Sequence, residues 1–91
     1  MGRAFALLGD RSDHKGTIVS SNQDGSVIVE GKEACVNGAR HLCPIDGHGE
    51  TEITQNLASV VNINGKEVVL DQSVAGCGAA ISASATKTFG A

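Results

Sequence analysis

Val27-Ile28-Val29-Glu30-Gly31-Lys32-Glu33-Ala34 recurs as Val61-Asn62-Ile63-Asn64-Gly65-Lys66-Glu67-Val68. In both stretches β-branched residues lead into a Glu-Gly or Asn-Gly pair, and Lys-Glu leads away from it. Gly, and Asn-Gly above all, supplies the positive φ that a tight hairpin turn needs, because the twist of such a turn must match that of its strands. Each copy therefore reads as a short β-hairpin.

Working outward, a shift of 34 residues places His14 on His48, Thr17 on Thr51, Asn22 on Asn56, Val27 on Val61, Gly31-Lys32-Glu33 on Gly65-Lys66-Glu67 and Cys43 on Cys77, with no gap. Similar pairs lie between these identities, among them Val19 with Ile53, Ala34 with Val68 and Val36 with Leu70. The chain thus carries internal repeats over residues 14–43 and 48–77, and a repeat of this length is one supersecondary unit used more than once. A degraded third copy is split between the ends. Ala6-Leu7-Leu8-Gly9-Asp10 leading to His14 matches Cys35-Val36-Asn37-Gly38-Ala39 leading to Cys43, and residues 80–84 after Cys77 supply the other half.

Within the copies, β-branched alternation predicts strands over residues 17–21, 26–30, 33–36, 51–55, 59–63 and 66–70. Two glycine-rich loops, residues 10–16 and 44–49, each carry a histidine. Residues 79–87 are alanine-rich but lack a capped apolar stripe, and read as strand or tail. The expected class is all-β.

A chain of 91 residues holds a single domain, spanning 1–91. Hydrophobic residues make up 41% of it, yet there is no Trp or Tyr and only Phe5 and Phe89. A core of Val, Ile, Leu and Ala buries less area per residue than aromatics do, so a chain this small needs a staple or a partner. With a net charge of −3 and almost no aromatic rings, there is neither a basic groove nor a stacking platform, which excludes a nucleic-acid binder. No apolar run approaches the roughly 20 residues that span a bilayer, and the N-terminus is not a secretory signal. The expectation is a protein made in the cytoplasm without stable membrane anchoring. Three cysteines, an odd number, argue against a disulfide framework and leave metal ligation or burial.

The repeat gives the metal reading its force. His14, Cys43, His48 and Cys77 stand at two equivalent pairs of positions, so a pseudosymmetric fold brings two imidazoles and two thiolates together, a tetrahedral zinc set. His41, two residues before Cys43, can replace either cysteine, and the sequence leaves the choice among the five open. Pro44 stiffens the loop after Cys43, and Gly76 and Gly78 flank Cys77, letting backbone approach closely. Cys35 faces its repeat image Val69 and reads as core. Asp10, Asp13, Asp46 and Asp71 lie among glycines and serines, where aspartate forms turns. Lys32, Lys66, Glu33 and Glu67 at the hairpins read as solvated.

Taken in order, Leu8-Gly9-Asp10, Asp13-His14-Lys15-Gly16, Glu30-Gly31-Lys32, Cys43-Pro44, His48-Gly49, Asn64-Gly65-Lys66 and Cys77-Gly78 resemble the PAAR-repeat proteins, over nearly the whole chain. Where that family tends to repeat Pro-Ala-Ala-Arg after each hairpin, this chain has Glu33-Ala34-Cys35-Val36 and Glu67-Val68-Val69-Leu70. The resemblance implies a small cone of repeated short β-hairpins with a pseudo-threefold base and zinc near the apex. It implies a membrane-piercing structural tip that caps a trimeric VgrG-type spike of a type VI secretion system, or a phage-like tail spike, with one copy per trimer. Effector proteins can be recruited there, and the tip leaves the cell on the spike, into the medium or a target cell. No fused effector extension is expected, and no catalysis. The competing readings are a small zinc hydrolase with an open coordination position, using Glu50 or Asp46 as general base, and a metal-free β adaptor with solvated histidines.

Overall fold

The computed structural model describes residues 3–23, 27–44, 49–86 and 88–90. Among them lie twelve short strands and no helix. In chain order the strands are Arg3–Ala4 (β1), Arg11–Ser12 (β2), Thr17–Ser20 (β3), Ile28–Val29 (β4), Lys32–Glu33 (β5), Ala39–Leu42 (β6), Glu50–Gln55 (β7), Asn62–Ile63 (β8), Lys66–Glu67 (β9), Val74–Ala75 (β10), Ile81–Ser82 (β11) and Phe89–Gly90 (β12).

The repeated Gly-Lys-Glu stretches form two matching antiparallel hairpins, β4 with β5 and β8 with β9. Their turns have two consecutive left-handed residues, Glu30 at φ 52° with Gly31 at 86°, and Asn64 at 52° with Gly65 at 84°. That is the turn the sequence predicts. A third hairpin has the same register but no turn: β1 pairs with β12, Arg3 opposite Gly90 and Ala4 opposite Phe89.

Beyond each hairpin the chain enters a closed ring. Ala6 N–H donates to Val69 O (2.9 Å), Val69 N–H to Cys35 O (2.9 Å), and Cys35 N–H to Ala6 O (3.0 Å). The flanking residues complete the triangle in pairs: Phe5 with Leu70, Leu7 with Ala34, and Val36 with Val68. This is a pseudo-threefold base made from one chain. Small side chains are required where three backbones converge, and Ala6, Cys35 and Val69 are all 0% exposed.

Each arm of the ring then turns alike. Asp10 N–H donates to Leu7 O, Ala39 N–H to Val36 O and Ser73 N–H to Leu70 O, with a left-handed residue at Gly9, Gly38 and Gln72. From these turns rise three hairpins, β2 with β3, β6 with β7, and β10 leading to β11. They join edge to edge in a six-stranded antiparallel sheet of order β10-β7-β6-β3-β2-β11. A bridge between Val74 and Ala80 links its two ends, so the sheet is a nearly closed cone. Ile18, Ile53 and Ile81 stand at equivalent points and fill the interior with Ala39, Ala75 and Ala79. Phe5, Leu7, Ala34, Val68 and Leu70 form a second apolar layer towards the base hairpins. The whole measures 33 × 27 × 22 Å.

Several strands escape the sequence pattern. Ala39–Leu42 (β6) is among the longer ones, yet Ala-Arg-His-Leu carries little β propensity; its inward residues, Ala39 and His41, are chosen for space and chemistry. The strand expected over 59–63 covers only its last two residues, because Ser59 and Val60 bend outwards, Val60 being 74% exposed. Glu33 is not simply solvated: it accepts a hydrogen bond from Ser21 Oγ. Lys66 Nζ likewise donates to Asn22 O (3.3 Å).

Candidate metal centre

Counting equally far along each arm from Ala6, Cys35 and Val69 reaches Ser12, His41 and Ala75, and then His14, Cys43 and Cys77. The last three sit in the turns at the narrow end. In the first turn Ser12 N–H donates to Gly16 O (3.1 Å) and Lys15 N–H to Ser12 O (2.9 Å); in the third, Ala75 N–H donates to Ala79 O (2.9 Å) and Gly78 N–H to Ala75 O (2.9 Å). The second turn is longer and is tied by Cys43 N–H to Gly49 O (2.9 Å). Lys15, Gly49 and Gly78 take positive φ there, which lets each turn present one side chain inwards.

The structure thus brings His14, Cys43 and Cys77 to one level, one from each arm. It favours the alignment of the split third copy, in which His14 matches Cys43. His48 lies outside the described residues, as does Asp46. One donor atom from each of His14, Cys43 and Cys77 lies within 4.8 Å of the other two. His14 Nδ1 is 3.7 Å from Cys43 Sγ and 3.9 Å from Cys77 Sγ. On the far side of its ring, His14 Nε2 is 3.9 Å from Asp13 Oδ1.

His41 arrives from the level beneath. It is 0% exposed. Its Nδ1 stands 3.9 Å from Cys77 Sγ and its Nε2 2.7 Å from Ser12 Oγ. Burial, and then the nearby His14, lower its pKa and favour the neutral imidazole that a metal requires.

These distances test whether a metal would fit. Zinc bonds of about 2.3 Å to sulfur and about 2.0–2.1 Å to nitrogen, at tetrahedral angles, put S and N donors about 3.6 Å apart. The two S···N separations within the group of His14, Cys43 and Cys77, 3.7 and 3.9 Å, lie just above this value, and His41 approaches the group at Cys77, at 3.9 Å. His14, Cys43 and Cys77 therefore lie close enough to hold one metal ion, near one end of the cone.

Cys35 is elsewhere, in the ring at the base. Burial, helped by Asp10 and Glu33, pushes its thiol up to about 12, so it stays protonated and serves as core. The carboxylates mostly brace turns: Asp10 accepts from Leu7 N–H (2.8 Å), Asp13 from Ala80 N–H (2.9 Å) and Asp71 from Ala83 N–H (3.0 Å). Glu50, a candidate base in the hydrolase reading, accepts from Arg40 Nε at 2.7 Å on the exposed outer face. Sequence reasoning missed Ser12 and Gly16, which touch His41; a serine and a glycine in a loop carry no signal of such a role.

A family model described as PAAR motif matches residues 8–83, from the first turn of the ring through all three apex turns to the segment after β11. No curated protein matches the chain. The ring, the three arms and the match agree: the chain belongs to the PAAR motif family, whose members are structural proteins of spike tips rather than enzymes.

Proposed function

We propose that the protein is the piercing point of a trimeric VgrG-type spike in a type VI secretion system, seated as one copy per trimer. The observation that carries this reading is the hydrogen-bonded ring of Ala6, Cys35 and Val69, which gives a single chain a threefold face. Three identical spike chains present three identical edges, and one pseudo-threefold base satisfies all of them at once. Spike and tip leave the cell together, and effector proteins travel by binding this assembly.

The apex is closed by one zinc ion, for which His14, His41, Cys43 and Cys77 are the described donors. Such an ion pins three loops, and its binding free energy is folding free energy. Four protein donors leave no open position for water, which distinguishes the site from a hydrolase. The test is elemental analysis with chelation followed by circular dichroism. About one zinc per chain, loss of structure on chelation, and a melting temperature lowered by Cys77→Ser are expected. A chain that folds fully without metal overturns the structural-metal reading. Mixed with trimeric spike protein, it should load at one copy per three spike chains; three copies per trimer overturns the capping reading.

A further inference from the structure

Beneath the three candidate ligands lies a layer made of Ser12, His41 and Ala75, equivalent residues that are 7%, 0% and 2% exposed. Three large side chains could not share this narrow section. The layer holds one imidazole, and its two counterparts are small. We propose that Ser12 is a positioning residue that holds His41 with Nδ1 directed at the metal, and that Gly16 is kept without a side chain to admit the imidazole.

Ser12 is itself held. Its backbone N–H donates to Gly16 O (3.1 Å), and its Oγ accepts from Gly16 N–H (3.1 Å). The hydroxyl oxygen therefore has a fixed place, 2.7 Å from His41 Nε2. A neutral imidazole carries its proton on one nitrogen and offers the other as an acceptor. With Nε2–H donating to Ser12 Oγ, the lone pair is left on Nδ1, the atom 3.9 Å from Cys77 Sγ. A partner on the non-ligating nitrogen commonly fixes both the tautomer and the ring plane of a metal-bound histidine.

Gly16 supplies the space. A Cβ there would stand 2.7 Å from His41 Cε1 and would also run into the Leu42 carbonyl. Gly16 is not among the glycines with positive φ, so its lack of a side chain answers to the imidazole and the Leu42 carbonyl beside it and not to backbone conformation.

This inference rests on the metal reading above, and the experiment separates the two. The full chain is loaded with zinc or cobalt(II), and affinity is measured by competition with a chelator. Ser12→Ala should bind about 10- to 100-fold more weakly and shift the cobalt d–d absorption. Ser12→Thr, which keeps a hydroxyl, should restore much of both. Long-range 1H–15N spectra of the zinc-loaded wild type should show His41 protonated at Nε2 and bound to metal at Nδ1, a readout independent of how any variant folds. A proton on Nδ1 overturns this inference alone. So does a Ser12→Ala protein that melts earlier yet keeps the wild-type affinity and cobalt spectrum. A wild-type chain that takes up neither metal overturns the inference together with the metal reading.

Discussion

Gln72 adopts a backbone conformation that its two counterparts leave to glycine. Its φ is 71°, against 94° at Gly9 and 91° at Gly38. A side chain in the left-handed region costs about 1–2 kcal/mol, partly offset because glycine loses more freedom on folding. The Gln72 side chain is exposed and its hydrogen bonds are made by backbone, its N–H to Ile81 O and its carbonyl from Asn56 Nδ2. Gln72→Gly should therefore stabilise the protein by about 0.5–1 kcal/mol in urea unfolding; a loss of stability would mean that the side chain does something its exposure conceals. The sequence points here only in retrospect, since Leu-Asp-Gln-Ser does not announce itself as a copy of Leu-Leu-Gly-Asp until the ring fixes the register.

At the scale of the element, the three arm turns are built alike but braced unequally. Asp10 accepts hydrogen bonds from Leu7 N–H, Ser84 N–H and Ser84 Oγ. Ser73 accepts from Leu70 N–H and donates to Asn56 O, and Ala39 can brace nothing. Asp10→Ala leaves buried donors without a partner and should cost about 2–4 kcal/mol, whereas Asp10→Asn, which keeps one acceptor, should cost about half as much; thermal unfolding of both checks the order. The hairpins β4-β5 and β8-β9 were legible because Gly31 and Asn64-Gly65 fix a turn by local chemistry. The sheet was less so. Arg11–Ser12 (β2), Ala39–Leu42 (β6) and Val74–Ala75 (β10) owe their conformation to closure of the cone; the two-residue β2 and β10 leave no period to read, and β6 carries little β propensity. The donors at positions 14, 43 and 77 were legible through repetition and His41 as a candidate through its nearness to Cys43, while its contact with Ser12 needed the third dimension.

At the scale of the whole molecule, symmetry is imposed on unequal copies. Two base hairpins have turns and the third is assembled from β1 and β12, where Gly90 and Arg3 take the places of Ile63 and Lys66. Joining Gly90 to Arg3 through Asn-Gly should reproduce the Ile63-Asn64-Gly65-Lys66 turn. A circular permutant made this way, opened between Glu30 and Gly31, should fold with the parent's far-ultraviolet spectrum and metal affinity. Failure to fold would show that the three hairpins are not interchangeable. The same split has a consequence for how the protein is born. A ribosome releases the chain from its N-terminus, so Arg3–Ala4 must wait for nearly every later residue before Phe89–Gly90 arrives to pair with it. The ring likewise cannot close until Val69 has emerged. The third base hairpin is therefore the last to form, and the point becomes rigid only once Phe89–Gly90 has emerged to pair with Arg3–Ala4.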